Sequence, residues 1–129
     1  MEKKHACAAI IVNENMVLLV RRKKPPFKNS WTCPGGKGRS NESPIETVVR
    51  ETLEEINLTF KPTTLFQYQQ TEKRDYYKYL GDYSGEIRIR SANELSEYGW
   101  FNYNQTKTLY LGFDFREVIE RLHSENLLK

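Results

Sequence analysis

The sequence of 129 residues is poor in the features that mark several large classes of protein. It contains two cysteines, Cys7 and Cys33, which are too few for a disulfide framework. No apolar run approaches the ~18 residues that a membrane-spanning helix requires. Twenty Lys and Arg residues against 17 Asp and Glu residues leave a net charge of +3, which does not by itself indicate nucleic-acid binding. The composition, 38% hydrophobic and 12% aromatic, excludes disorder, collagen and coiled coil.

The length predicts one domain over residues 1–129, because domains cluster near ~100–150 residues. The apolar segment 6–12 runs directly into the turn residues Asn13, Glu14 and Asn15, without a small-residue cleavage site. We therefore interpret it as a strand of the folded protein and not as a signal peptide. With only two cysteines, we expect a reducing, cytoplasmic setting.

The order of apolar segments predicts an α+β fold, in which helices pack on a mixed β-sheet. We expect segments 8–12 and 16–20 to pair as a hairpin, and segment 31–38 to be a Pro- and Gly-rich loop. Segment 114–122 predicts a closing helix, with Asp114 as N-cap and Glu117 as its reciprocal partner. Further strands are predicted within residues 60–68, 76–83, 87–89 and 99–103.

The clearest helix of the sequence is predicted over residues 44–56. Ser43 and Glu46 have the spacing of a capping box, and Pro44 suits the first helical position. The apolar residues of the segment recur at helical spacing. Asn57 tolerates the left-handed conformation that ends a helix.

The polar side of this helix carries Glu51, Glu54 and Glu55, spaced so that they share one face. Like charges placed in this way repel each other by about 0.2–0.5 kcal/mol per pair. A solvated acidic face is one interpretation, since Glu favours helices. The other is a divalent-cation site, because Mg²⁺ prefers oxygen ligands and commonly works with substrate phosphates.

The context of these glutamates resembles the Nudix box, G-x5-E-x7-R-E-U-x-E-E-x-G-U, in which U is a bulky aliphatic residue. The match covers 23 residues, Gly36–Leu58, and keeps every charged position of the pattern. Two positions depart from it, Thr52 at an aliphatic place and Asn57 at the second Gly. Arg39 stands where many members carry an additional Glu. The matching positions are Gly36, Glu42, Arg50, Glu51, Glu54, Glu55 and Leu58.

The resemblance implies a MutT-like αβα sandwich, a mixed sheet flanked by helices. It also implies a pyrophosphohydrolase that cleaves a nucleoside diphosphate linked to another moiety, with Mg²⁺ as cofactor and Mn²⁺ as a possible substitute. The implied metal ligands are Glu51, Glu54, Glu55 and the Gly35 carbonyl, and Glu51 and Glu54 are also candidate catalytic bases.

A loop glutamate is a further candidate for the general base, since Glu94 stands six residues before Trp100, as in MutT-like members. Glu97 is its rival, and both could instead be solvated loop charges. We expect Arg50 and Glu42 to orient the box glutamates.

Two cations are candidates for holding the phosphates of the substrate. Arg21 belongs to a basic run at a strand end, and Lys37 follows the two glycines. A basic run is also compatible with a solvated edge. Arginine suits a phosphate because its guanidinium binds it through two hydrogen bonds.

The box does not identify the substrate, because substrate pockets lie outside it. A nucleoside triphosphate, oxidised or not, giving the monophosphate and pyrophosphate, is the leading hypothesis. The alternatives are ADP-ribose or another sugar nucleotide, and a non-catalytic nucleotide-sensing module. We expect a monomer or homodimer that binds neither membrane nor nucleic acid.

Overall fold

A computed structural model describes residues 3–129 and divides into two compact units. The first unit contains the described chain up to Ile11 together with Pro34–Arg90, and the second contains Val12–Cys33 and Ser91–Lys129. The single domain over residues 1–129 stays a prediction. None of the helices within residues 3–129 has the length and apolar character needed to cross a membrane. The elements are β1 (Lys4–Ile10), β2 (Val12–Asn13), β3 (Met16–Arg22), β4 (Trp31–Thr32), β5 (Gly35–Lys37), α1 (Pro44–Ile56), β6 (Thr59–Gln70), β7 (Arg74–Ser84), β8 (Leu95–Phe101), α2 (Tyr103–Thr106) and α3 (Phe115–Ser124).

The first unit is built on a four-stranded sheet in the order β5-β1-β7-β6. The central pair β1–β7 is parallel, whereas β5 and β6 lie antiparallel to their neighbours, so the sheet is mixed. Helix α1 packs against β1, β5 and β6. The core of this unit contains Ile10, Val48, Ile56 and Phe60, each at most 2% exposed.

Helix α1 confirms the sequence prediction at both ends. The Ser43 side chain accepts from the Glu46 amide at 3.1 Å, and the Glu46 carboxylate accepts from the Ser43 amide at 2.9 Å. At the other end Asn57 has φ 66° and ψ 22°, the left-handed conformation expected of it. Thr52, at an aliphatic position of the motif, is fully buried, and its hydroxyl donates to the Val48 carbonyl at 2.7 Å.

The second unit is built around β3, which pairs antiparallel with β2, β4 and β8. The strand Met16–Arg22 buries a continuous apolar run, Val17–Val20, at 0–1% exposure. Helix α3 buries one apolar face, as its periodicity predicts. The buried residues of α3 are Phe115, Val118, Ile119 and Leu122.

The predicted hairpin between segments 8–12 and 16–20 is wrong in its pairing. The first strand, Lys4–Ile10, pairs with β7 and β5 in the first unit, and only Val12–Asn13 pairs with β3. The turn is local and was predicted correctly, since Glu14 and Asn15 adopt φ 50° and 61°. Strand pairing across about 70 residues has no local signal, which is why the sequence pattern did not reveal it.

Four local predictions also need correction. Segment 31–38, which was predicted as a loop, contains two short strands, β4 and β5, and the strand predicted within residues 99–103 is β8, which begins earlier, at Leu95. Residues 87–89 form no strand. Asp114 precedes α3 but makes no side-chain capping hydrogen bond. The four-residue helix α2 was not predicted, although Asn102 and Gln105 form a capping box at its start.

Candidate metal and phosphate site

Strand β5 and helix α1 bring Gly35 and Gly36 against the glutamates of the motif. The Gly35 amide donates to Glu55 Oε1 at 2.9 Å, and Glu55 is only 7% exposed. A Cβ at Gly36 would stand 2.6 Å from the carboxylate carbon of Glu51. Glycine is therefore required at residue 36 for the strand and this carboxylate to approach so closely. Since β5 is an edge strand, the carboxylates lie along one edge of the sheet.

The guanidinium of Arg50 joins three glutamates of the motif. Its Nη1 donates to Glu51 Oε1 at 3.0 Å and to Glu54 Oε2 at 3.1 Å, while its Nε and Nη2 both donate to Glu42. Nη2 also donates to the Lys37 carbonyl at 3.2 Å. The side chains of Arg50, Glu42 and Glu51 are 17%, 12% and 18% exposed, so these bonds are shielded from water. The planar fork of arginine holds the carboxylates in fixed directions.

Glu42 is the most strongly bound carboxylate of the cluster. Besides Arg50, it accepts from the Arg39 amide at 2.9 Å and from the Thr47 hydroxyl at 3.0 Å. The hydrogen bond from Arg50 is the main reason that the pKa of Glu42 falls to about 2, and burial opposes it. The same pair raises the pKa of Arg50 above its ordinary value. Glu42 therefore stays ionised at any pH where the protein would work.

His5 and Thr47 support Glu42, and neither was predicted from the sequence to do so. His5 Nε2 lies 2.7 Å from the Thr47 hydroxyl, which donates its one proton to Glu42. His5 Nε2 must then be the donor in this chain of hydrogen bonds. No sequence signal points to it, because His5 and Thr47 are 42 residues apart. Next to them burial raises the pKa of the Cys7 thiol to about 12, helped by the charges of Glu42 and Glu51, so this cysteine is not a nucleophile.

The predicted metal ligands lie close together, but their carboxylates already accept hydrogen bonds from protein donors. Within residues 3–129 no three Asp, Glu, His or Cys side chains stand in the arrangement of a metal site. The chemistry of the donors nevertheless fits a hard divalent cation, because all are oxygens: three carboxylates on neighbouring turns of α1 and the Gly35 carbonyl of β5. Glu51 and Glu54 already share one cationic nitrogen, Arg50 Nη1. The side chain of Glu54 is 49% exposed and can change rotamer to meet a metal ion.

Arg39 adds a second positive charge beside the cluster. Its Nη2 lies 3.7 Å from Glu54 Oε1, and its side chain is 62% exposed. An exposed ion pair of this length contributes little to stability. The arginine therefore modifies the electrostatic surroundings of Glu54 without fixing its position.

The structure places the remaining candidates as follows. Lys37 lies on β5 with an exposed side chain, opposite Ala6 of β1. Arg21, on β3 of the second unit, donates to the Asn29 carbonyl at 3.0 Å and to Glu97 Oε2 at 3.1 Å. Its guanidinium carbon lies 5.8 Å from the centre of the Trp31 ring.

The two loop glutamates differ in their surroundings, and both belong to the second unit. Glu94 is exposed in the turn before β8, where its amide donates to the Ser91 carbonyl at 2.9 Å. Glu97 lies on β8 itself and pairs with Arg21. Because Glu97 is held by a cation, Glu94 is the better candidate for a base.

Known proteins share this arrangement of motif, strand and helix. The model of the NUDIX domain matches residues 2–122. The chain is also 30% identical over 122 residues to an ADP-ribose pyrophosphatase of Methanocaldococcus jannaschii, covering 89% of this chain and 70% of that protein. The chain belongs to the Nudix family.

Two further relatives extend the similarity of this Nudix protein. An 8-oxo-dGTP diphosphatase of Escherichia coli is 34% identical over 77 residues, covering 58% of this chain and 60% of that protein. The crystal structure of a MutT Nudix hydrolase from Burkholderia pseudomallei superposes with a TM-score of 0.83 and 28% identity, covering 93% of this chain and 98% of that one. The α+β Nudix fold and the MutT-like relationship that the motif predicts are confirmed.

Family membership also determines the class of reaction. This Nudix protein is a hydrolase of phosphoric anhydrides that acts on nucleoside diphosphate derivatives. Nudix hydrolases generally use divalent cations. The prediction of an enzyme is confirmed, and the non-catalytic sensing module is no longer needed to explain the motif.

Proposed function

We propose that this protein is a Mg²⁺-dependent pyrophosphohydrolase that cleaves a nucleoside triphosphate, oxidised or not, into the monophosphate and pyrophosphate. The observation that carries the proposal is the convergence of Glu42, Glu51 and Glu54 on Arg50 at the edge of β5. A triphosphate would be repelled by these carboxylates alone, and a bound divalent cation reverses that repulsion. The similarity to the 8-oxo-dGTP diphosphatase supports this class of substrate.

Glu51, Glu54, Glu55 and the Gly35 carbonyl would hold the cation, and Mn²⁺ could replace Mg²⁺. When bound, the cation neutralises phosphate charge and lowers the pKa of a water ligand. The protein fixes the geometry of these ligands in advance, because Gly35 holds Glu55, and Arg50 holds Glu51.

Arg50 and Glu42 would act as orienting residues that do not touch the substrate. Arg50 already donates to two proposed ligands and to Glu42, which leaves little of its guanidinium available for a phosphate. The hydrogen bonds of Glu42 to the Arg39 amide and the Thr47 hydroxyl keep the fork in place.

Lys37 and Arg21 would bind phosphate oxygens, and Glu94 would take the proton of the attacking water. Lys37 is exposed on the same short strand as Gly35. Arg21 would have to exchange its bond to Glu97 for one to the substrate, which is feasible because both side chains are partly exposed. Glu51 and Glu54 are the alternative bases within the motif.

A second substrate class has its own supporting observation. The relative from Methanocaldococcus jannaschii that is similar over 122 residues is an ADP-ribose pyrophosphatase. ADP-ribose contains the same phosphoric anhydride, joined to a sugar in place of a terminal phosphate. The carboxylate cluster would serve both substrates, so the residues that contact the rest of the molecule must decide between them.

We also infer a cytoplasmic location, with a small nucleotide as partner and a monomer or homodimer as the assembly. No disulfide joins Cys7 and Cys33, and both thiols are buried, which suits a reducing compartment.

A panel of nucleotides tests the proposal. Deoxynucleoside triphosphates, 8-oxo-dGTP and ADP-ribose are incubated with the protein and Mg²⁺, and phosphorus-31 NMR identifies the products. The expected result is a monophosphate and pyrophosphate from at least one triphosphate, and no products in EDTA. ADP-ribose as the preferred substrate would favour the second class, and turnover of none of them would contradict the proposal.

A further inference from the structure

One edge of the sheet in the first unit is long and carries no charge. Strand β6 is the last strand in the order β5-β1-β7-β6, and within residues 3–129 no strand pairs with its outer side. It has 12 residues, about twice the length of an average strand. Its segment 62–71 contains no charged residue. Soluble proteins commonly place charges on such an edge, because a strand edge can pair with a strand of another molecule.

Two apolar side chains of this segment project from the same face of the sheet. Leu65 is 48% exposed and Tyr68 is 47% exposed. They pair with Tyr79 and Tyr77, which are two residues apart on β7 and therefore share a face. The bulge between Leu65 and Gln67 brings the two side chains to one side in spite of their odd spacing. The edge thus presents an exposed apolar pair beside an uncharged strand.

The charges that flank the segment have opposite signs. Lys61 precedes it and Glu72 follows it, and both side chains are exposed. If two identical strands pair antiparallel about a two-fold axis between residues 66 and 67, Lys61 of each copy lies opposite Glu72 of the other. Leu65 then lies opposite Tyr68, and both pairs are favourable across strands. A parallel pairing in register would bring like charges together. The segment is therefore complementary to itself, as an interface between identical subunits requires.

We propose that two copies of this chain associate through β6 and join their four-stranded sheets into one sheet of eight strands. Pro62 has no N–H to donate, so it limits the new pairing to segment 63–70. Eight residues of each copy can form up to about eight backbone hydrogen bonds, which is within the range of a typical protein interface. The contact between Leu65 and Tyr68 occurs twice, because the two-fold axis repeats it. A second copy fits this edge better than an unrelated strand, since both flanking charges are then paired.

This interface is separate from the proposed reaction. The carboxylate cluster lies at β5, the opposite edge of the same sheet. In the eight-stranded sheet, the two β5 strands would be seven strand spacings apart, which is about 34 Å. The inference therefore goes beyond the proposed function, and it holds or fails whether or not a nucleotide is hydrolysed.

Sedimentation equilibrium of the full chain, without metal or nucleotide, tests the inference. The largest species of the wild type should have twice the 15.3 kDa mass of one chain. Leu65→Lys removes the contact with Tyr68 at both places and should raise the dissociation constant of the dimer by about 10-fold or more. Tyr68→Glu should have an effect of the same size. The double variant places opposite charges across from each other, so it should associate about 5-fold more tightly than either single variant.

Ile45→Lys is the matched control, because Ile45 is 51% exposed on the first turn of α1. The carbonyl of the preceding Pro44 accepts from Cys7 of β1, which lies two strands away from β6. This variant adds the same charge as Leu65→Lys and should leave the dissociation constant unchanged. An equal weakening by both variants would overturn the inference, since it would indicate a general effect of charge.

Hydrogen exchange of the wild type at low and high protein concentration gives a result that does not depend on how the variants fold. The outward-facing amides of segment 63–70 should become protected at high concentration, whereas those of β5 should not change. A wild type that stays monomeric, a dimer that Leu65→Lys leaves intact, or species that grow without limit as the concentration rises would overturn the inference. A double variant that associates no more tightly than the single variants would overturn the two-fold register.

Discussion

Replacing Arg50 by alanine should destabilise the protein and weaken its metal site together. Arg50→Ala removes the cation that Glu42 and Glu51 share, and both carboxylates are more than four-fifths buried. Removing one partner of a fully buried ion pair costs about 3–5 kcal/mol. The remaining exposure of these groups lowers that figure, and the bond to the half-exposed Glu54 adds under about 1 kcal/mol. We therefore expect a loss of about 2–4 kcal/mol in the free energy of unfolding.

Urea unfolding followed by circular dichroism measures this loss, and calorimetric titration with Mn²⁺ measures the metal affinity. Arg39→Ala is the matched control, because this arginine is 62% exposed and lies 3.7 Å from Glu54. It should cost at most about 0.5 kcal/mol. An Arg50→Ala protein with unchanged stability and metal affinity, but a much higher KM, would refute the reasoning and make Arg50 a phosphate ligand.

Three further predictions concern single residues. Glu94→Gln should lower kcat by about 10²–10⁴-fold with little change in nucleotide binding, whereas Glu97→Gln should do much less, and steady-state kinetics with the reverse order would move the base to Glu97. The ion pair of Glu42, whose pKa is lowered from 4.5 to about 2, should stabilise the protein fully above pH 4.5 and lose its effect as the pH falls to about 2. The stability difference between wild type and Glu42→Gln in urea should shrink over that range, and a constant difference would contradict the assignment. Asn57→Ala should cost about 1–2 kcal/mol because φ is 66°, and Asn57→Gly should stay within about 0.5 kcal/mol of wild type; equal losses in thermal unfolding would argue against backbone strain.

The parts of the fold that depend on neighbouring residues could be predicted from the sequence. Helix α1 begins and ends where Ser43 and Asn57 indicate, because capping and left-handed termination are local effects. The start of strand β8 could not be placed, since its exposed polar residues at 96 and 97 resemble a loop. The pairing of β1 with β7 joins residues about 70 positions apart and depends on the assembled sheet.

The candidate site was predictable to the same extent. The spacing of the glutamates along one helix predicts that they share a face of that helix. The hydrogen bond from Arg50 to Glu54 within the helix follows from their separation of four residues. The bonds of Gly35 to Glu55 and of His5 to Thr47 join separate elements, so they became visible only in the folded chain.

The most direct test of the central claim is the Mg²⁺ dependence of triphosphate hydrolysis in wild type and Glu54→Gln. Glu54 is 49% exposed, so its substitution should leave the fold intact. We predict no turnover without Mg²⁺, saturable activation of the wild type, and a kcat for Glu54→Gln at least ~10²-fold lower, as for the loss of a group that stabilises transition-state charge. Turnover in EDTA, or wild-type kinetics for Glu54→Gln, would contradict a metal-dependent reaction at this cluster.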